Sequence, residues 1–248
     1  MKHCVIVPHF NHVEQFRRML PQLLSAGLPL IVVDDASAAA SFEDLQHLLQ
    51  TQAEGTILLR HTENLGKGAA VTTGFKAALE AGYSHALQVD ADGQHDISRV
   101  GEICAEIAVD PTAIVCGKPI FNESISGLRL YGRYLTLSLT WLETLSLQIQ
   151  DAMCGFRAYP LAAILPLIEN SRIGKRMAFD PEILVRSVWA GLPLRYVSVN
   201  VNYPQDGASH FRYFRDNVQI TWMHMRLIVG MILRSPILLG RRFALRKH

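Results

Sequence analysis

Short apolar runs and amphipathic stretches alternate through the first half of the chain, with Gly, Pro, Asn and Asp between them. His3–Val7 reads as a strand that ends at Pro8. Val13–Ala26 carries Phe16, Met19, Leu20, Leu23 and Leu24 at helical spacing, with a bend expected at Pro21. Leu28–Val33 reads as a second strand, stopping at Asp34-Asp35. Ser41–Gln50 reads as a second helix, with Ser41 as N-cap and Asp44 in the first turn. Strand Thr56–Leu59, helix Lys67–Glu80, strand Ala86–Val89, helix Ile97–Ala108 and strand Ala113–Cys116 continue the alternation. This pattern predicts an α/β chain: a Rossmann-like, mostly parallel sheet flanked by helices on both faces.

The pattern changes after about residue 118. Leu128–Leu147 reads as one long helix, followed by a loop over Asp151–Arg157, helices at Leu161–Ile168 and Glu182–Ala190, and a late strand at Leu194–Val201. Ile220–Leu239 is apolar but interrupted by His224, Arg226, Arg234 and Pro236. A central arginine costs roughly 2.5–3.5 kcal/mol on insertion scales, so a transmembrane span is not expected. A helix lying in the membrane interface is expected instead, with Trp222, Met223, Leu227, Met231 and Leu238 inward and arginines at the headgroups. A terminal helix packed on the body is the other reading. Two regions follow: residues 1–211 as the main α/β domain and 212–248 as a basic amphipathic tail.

Charge sharpens that division. From Arg212 to His248 eight Lys/Arg stand against one Asp, a net +7, which leaves −5 for residues 1–211. Such a tail suits an anionic partner, a membrane surface or a phosphate-rich ligand, and no nucleic-acid partner is expected. The 248 residues suffice for one large domain with a substantial core. The four cysteines, Cys4, Cys104, Cys116 and Cys154, form no Cys-x-x-Cys pair, which predicts reduced thiols in a cytosolic protein. The apolar run after Met1 is too short for a signal peptide, so no export is expected.

Four polar clusters follow successive predicted strands: Pro8-His9-Phe10-Asn11, Asp34-Asp35-Ala36-Ser37, Asn64-Leu65-Gly66-Lys67-Gly68 and Asp90-Ala91-Asp92. In an open parallel sheet, ligands bind outside the carboxyl ends of the strands, so four clusters there predict one site. Asp90 and Asp92 offer paired carboxylate oxygens, which suit Mg²⁺ or Mn²⁺ completing its shell with phosphates of a nucleotide. The glycine segment is neither a P-loop nor a dinucleotide fingerprint. An aspartyl-phosphate phosphatase would place its Asp-x-Asp on an early strand.

Together the four clusters resemble family 2 glycosyltransferases of the GT-A fold, in the branch of dolichol-phosphate mannosyltransferase-like and polyprenyl-phosphate sugar transferases. The resemblance covers about residues 3–212. It implies that Pro8, Phe10 and Asn11 border the nucleotide base, with His9 where a hydrophobic or small residue is commoner. It implies that Asp34, Asp35 and Ser37 form the turn that contacts base or ribose, and that Asn64, Gly66, Lys67 and Gly68 lie near the nucleotide. Asp90 and Asp92 match the family's metal-binding Asp-x-Asp, with Ala91 between them and Gln94 able to join the metal shell. Arg129 and Arg133, four apart on one helix, match arginines placed near phosphates. Asp151-Ala152-Met153-Cys154-Gly155-Phe156-Arg157 resembles the loop beside donor and acceptor, and Phe179-Asp180-Pro181-Glu182 the opening of the next helix. Asp151 and Asp180 are both candidates for a catalytic base, although Asp180 could simply cap the helix that Pro181 begins. His210 and Arg212 match a late loop whose basic residue approaches the diphosphate.

The implied activity is metal-dependent, inverting transfer of a sugar from a UDP- or GDP-sugar to a membrane-associated lipid or lipid-phosphate acceptor, by direct displacement. The implied location is the cytoplasmic membrane face, held peripherally. Alternatives are an inactive sugar-nucleotide-binding scaffold and a nucleotidyltransferase. The latter predicts a Gly-rich activation loop near the N-terminus, which Pro8–Asn11 does not offer.

Overall fold

The structure is a computed structural model and describes residues 1–121, 125, 127–201 and 213–245, excepting the side chains of 128, 129, 213–215 and 242–245. The predicted alternation is present. β1 (His3–His9), α1 (Val13–Ser25), β2 (Leu30–Asp34), α2 (Ala39–Gln52), β3 (Ile57–Arg60), α3 (Lys67–Glu80) and β4 (His85–Gln88) form the first half. A 3₁₀ turn at Ile97–Arg99 leads into α4 (Val100–Val109), then β5 (Ile114–Phe121) and α5 (Gly127–Thr144). β6 (Arg157–Pro160), α6 (Leu161–Glu169), α7 (Phe179–Ala190), β7 (Leu194–Val201) and α8 (Tyr213–Leu245) complete the chain.

The seven strands form one sheet in the order β3-β2-β1-β4-β6-β5-β7. All neighbours are parallel except β6, which runs antiparallel to both β4 and β5. Alternate residues of each strand face opposite layers. Cys4 and Ile6 of β1 belong to the core layer built with α3, α6, α7 and α8, whereas Val5 and Val7 belong to the one built with α1, α2 and α4.

Several boundaries depart from the sequence expectation. β1 runs past Pro8 to His9, because β4 ends opposite Ile6 and leaves β1 with β2 as its neighbour from there on. A proline's missing N–H is tolerated at such a locally open edge. Ser41 is not the N-cap of α2. That helix starts at Ala39, where Asn11 Oδ1 accepts the Ala38 amide at 2.9 Å, so a tertiary bond fixes the start. The stretch read as a loop to Arg157 ends in β6. Pro21 lies inside α1, which continues through it. All four cysteines are free, and burial pushes the Cys4 and Cys116 thiols up to about 12.

The assignment of the inward face of the C-terminal helix is corrected. Met223, Leu227 and Leu238 bury themselves in the protein core, and Met231 packs against it. Trp222 lies instead on the outward face, with Met225, Val229, Ile232, Leu233 and Ile237. Three of its described arginines turn back to the body. Arg226 donates to Arg172 O at 2.8 Å and Glu182 Oε2 at 3.0 Å, Arg234 covers the Trp189 ring, and Arg241 donates to Trp189 O at 2.8 Å. The side chains set the two faces: positions three and four apart share a side, and both sides of α8 are apolar. By length and composition alone, Asp216–Arg241 could cross a membrane.

Candidate active site

The two carboxylates of the second cluster join it to the first and the third. Asp34 Oδ1 takes a hydrogen bond from the Ser37 hydroxyl at 2.5 Å and lies 3.0 Å from His9 Nδ1, while Oδ2 accepts the Ser37 amide at 3.1 Å. Burial works to raise the Asp34 pKa, but the His9 and Ser37 bonds outweigh it and hold the carboxyl below its ordinary value. Asp35 accepts the Leu65 amide at 2.9 Å and the Gly66 amide at 2.7 Å, and pairs with His61 Nδ1 at 2.7 Å. Both carboxylates are buried, and they tie the ends of β1 and β2 to the segment before α3. Ser37 Oγ accepts the Asn11 amide at 2.8 Å. Pro8 and Phe10 are half-buried beside this junction.

The third cluster is shaped by Gly66, whose φ of 102° lies in the left-handed region open to glycine. A Cβ there would stand 2.6 Å from Lys175 O. Arg176 clamps Asn64 from the far side, donating to its Oδ1 at 2.7 Å and its carbonyl at 2.9 Å. Gly68 is buried on the first turn of α3, where a Cβ would strike Phe179 at 2.5 Å. The chain beyond Gly66 therefore enters α3 with Lys67 directed inward.

Lys67 is the hub. Its Nζ donates to Asp90 Oδ2 at 2.8 Å and to Asp180 Oδ2 at 2.7 Å. Gln88 Nε2 bridges the same pair, at 3.2 Å to Asp180 Oδ1 and 3.4 Å to Asp90 Oδ1. His95 Nε2 lies 3.5 Å from Asp90 Oδ2, with its ring stacked on Phe156. Burial opposes ionisation of Asp90, but Lys67 and His95 more than offset it and hold the carboxyl well below the usual range. Asp92 is pushed the other way, first by burial and then by the charge of Asp90. Its Oδ1 accepts the Gln94 amide at 3.1 Å.

The two candidate bases are now distinct. Asp151 is gripped bidentately by Arg133, at 2.9 Å and 2.8 Å, and its Oδ1 also accepts the Met153 and Cys154 amides. It shapes the loop that precedes β6. Asp180 reaches the Lys67–Asp90 cluster and does not cap α7, which begins at Phe179 with Ala178 in the capping position. Its own carbonyl is held by Arg157 Nη1 at 2.7 Å, and Arg157 Nη2 donates to Ala152 O at 2.8 Å. The Arg129 side chain, His210 and Arg212 lie outside the described residues.

Two contributors, Gln88 and His95, had no role in the sequence reading, and Gly155 and Arg157 stood in it only as members of the Asp151–Arg157 loop motif. A Cβ on Gly155 would lie 2.5 Å from Asp90 Oδ2, 2.7 Å from Lys67 Nζ and 2.8 Å from Gln88 Nε2. Gln88 carried the one usable signal, a buried polar residue inside an apolar strand just before the acidic pair.

Among the described residues no group of three or more His, Cys, Asp or Glu side chains forms a metal-holding cluster. Asp90 and Asp92 nonetheless suit a hard divalent ion. Their donors are all oxygen, and the repulsion that raises Asp92 is what a cation between them relieves. An ion held by one or two carboxylates takes the rest of its shell from phosphate and water.

Residues 4–160 match the family model described as glycosyl transferase family 2. The chain belongs to that family. Among relatives of this glycosyltransferase, the dolichyl-phosphate beta-glucosyltransferase of Dictyostelium discoideum is 28% identical over 225 residues, covering 79% of this chain and 65% of the relative. This chain thus spans just under two thirds of that protein. The UDP-N-acetylglucosamine–dolichyl-phosphate N-acetylglucosaminyltransferase of Methanococcus voltae is 26% identical over 196 residues, covering 73% of this chain and 78% of the relative. Among solved structures, glucosyl-3-phosphoglycerate synthase from Mycobacterium tuberculosis, in complex with Mn²⁺, UDP and phosphoglyceric acid, superposes with a TM-score of 0.64. At 13% identity, with 94% of this chain and 77% of the other covered, that likeness establishes the GT-A fold of the transferase.

Proposed function

We propose that this transferase is an inverting, divalent-cation-dependent hexosyltransferase that moves a sugar from a UDP- or GDP-sugar to a lipid phosphate at the cytoplasmic membrane face. The observation that carries the acceptor is the engagement of both candidate bases. Asp151 is committed to Arg133 and two backbone amides, and Asp180 to Lys67 and Gln88. A hydroxyl acceptor would need a carboxylate released from such bonds to take its proton. A lipid phosphate is anionic at neutral pH and attacks without that step. Both relatives, each named for dolichyl phosphate, support the same acceptor class.

In this reading Asp90, Asp92 and the Gln94 side chain hold Mg²⁺ or Mn²⁺, which when bound supplies Lewis-acid stabilisation of the leaving diphosphate. Pro8, Phe10 and Asn11 border the base, with Asp34, Asp35 and Ser37 fixing the shape of that border from below. Asn64, Gly66 and Gly68 set the backbone from which Lys67 approaches the phosphates. Ala91 keeps the two metal carboxylates on one turn. Arg129, His210 and Arg212 supply positive charge around donor and acceptor phosphates, while Arg133 is engaged by Asp151. Asp180 orients Lys67, and Asp151 holds the acceptor-side loop.

The deciding experiment pairs the purified protein with radiolabelled UDP- and GDP-sugars, Mn²⁺ and either polyprenyl phosphate or polyprenol. Transfer to the phosphate alone is expected. Transfer to the alcohol at a comparable rate overturns the acceptor assignment, and donor binding with no transfer to either supports the inactive scaffold.

Residues 212–248 are proposed as the membrane-attaching region. Because the outward face of α8 is uncharged from Trp222 through Ile237 apart from the turned-back Arg226 and Arg234, its fit is to the acyl region of the interface. Ile232→Glu combined with Leu233→Glu should abolish co-sedimentation with vesicles of mixed zwitterionic and anionic phospholipid, without lowering Tm. Unchanged sedimentation of the double variant would remove α8 as the attachment surface.

A further inference from the structure

We propose that Lys67 is an internal counter-ion that competes with the divalent cation for Asp90, so that metal and diphosphate bind with strong positive coupling. The proposal rests on reading Asp90 and Asp92 as the cation's ligands. Its geometric basis is that Asp90 Oδ2, an oxygen of that ligand pair, already receives the Lys67 ammonium at 2.8 Å.

The neighbourhood holds three carboxylates, Asp90, Asp92 and Asp180, against one ammonium. His95 adds a ring nitrogen 3.5 Å from the same Asp90 oxygen. Lys67 offsets one negative charge and leaves Asp92 repelled by Asp90. A divalent ion arriving alone meets a like charge within bonding distance of its ligand. It must move the ammonium or accept the repulsion, and either weakens binding.

A diphosphate changes the balance. Its oxygens offer Lys67 new acceptors as they fill the metal's shell, so the ammonium can leave Asp90 without losing its partners. Asp180 keeps its hold on Nζ at 2.7 Å and serves as the pivot. Coupling between two ligands is reciprocal, so metal-free diphosphate meets the unrelieved carboxylates and binds weakly. Gly155 keeps the space beside Nζ open, since a Cβ there would come within 2.7 Å of it.

The test is Mn²⁺ binding to the nucleotide-free protein, followed by electron paramagnetic resonance of the free ion. Lys67→Met keeps an unbranched side chain, one atom shorter, and removes its charge. It is expected to tighten Mn²⁺ binding at least about tenfold, whereas Lys67→Arg stays near the parent affinity. Adding UDP should then improve Mn²⁺ affinity less in Lys67→Met than in the parent. Melting temperatures of all variants guard against misfolding, and Lys67→Gln provides a second neutral side chain if the methionine variant does not fold. Unchanged or weaker Mn²⁺ binding in the folded neutral variants overturns the counter-ion role. Asp92→Asn separates the two levels of the argument: if it leaves Mn²⁺ binding intact, the metal-site reading itself has failed.

Discussion

Asp92→Asn is expected to retain the fold and to lose sugar transfer by roughly a thousandfold, corresponding to about 4 kcal/mol of Lewis-acid stabilisation. Asparagine is isosteric, and its side-chain oxygen can still accept the Gln94 amide that Asp92 accepts at 3.1 Å. The turn should therefore survive. What disappears is the second negative charge, the one already strained by burial and by Asp90. The substitution also removes the repulsion between the two carboxylates, so thermal stability should hold or rise slightly. The measurement is a rate of transfer at saturating donor across a Mn²⁺ titration, alongside a melting curve. A folded variant with parental turnover, or parental turnover in excess EDTA, would dismiss the metal role.

Gly155→Ala carries the second large effect. The added methyl has no position to occupy, since it would lie 2.5 Å from a carboxylate oxygen of Asp90 and 2.8 Å from the Gln88 amide. Overpacking of this kind costs about 1–3 kcal/mol of stability. The cost to function should be greater, because the atoms displaced belong to the proposed metal carboxylate and its ammonium partner. A misplacement near 1 Å is enough for a loss of about a hundredfold in rate. Urea unfolding and transfer kinetics on one preparation separate the two. Wild-type rates in a destabilised variant would show that the Gly155 backbone only packs beside the site.

The first half of the fold was legible because its signals are local. Apolar strands of four to seven residues, each followed by a polar cluster and an amphipathic helix, specify a parallel sheet without reference to distant contacts. Asp90, Asp92, Lys67 and Asp180 could be picked out as residues, since charged side chains beside apolar runs stand out. Their pairing could not. Lys67 and Asp180 are 113 positions apart, and only packing of α7 against α3 brings them to 2.7 Å. Arg157 stood in the loop motif, but its burial and its partners could not be read from it. A fully buried arginine at the start of a four-residue strand runs against the expectation that charge marks the surface, and backbone carbonyls of Asp180 and Ala152 make it tolerable. The α8 faces were misassigned because both are apolar. Periodicity identifies a face without saying what covers it.

Strand β6 fixes the order in which the site can be assembled. It lies between β4 and β5, yet it follows both in the chain. Until Pro160 has left the ribosome, β4 has a neighbour on one side only, and β5 has none of its final partners, which are β6 and β7. A nascent chain of that length already contains the acidic turn and Lys67, but Asp180 has still to be made and Gly155 still to be seated. Long-range pairing of this sort is slow relative to local structure. The proposed donor site would therefore be completed late in folding, after the four-stranded half-sheet exists, and a released N-terminal fragment would carry the most recognisable motif of the chain without the rest of that proposed site.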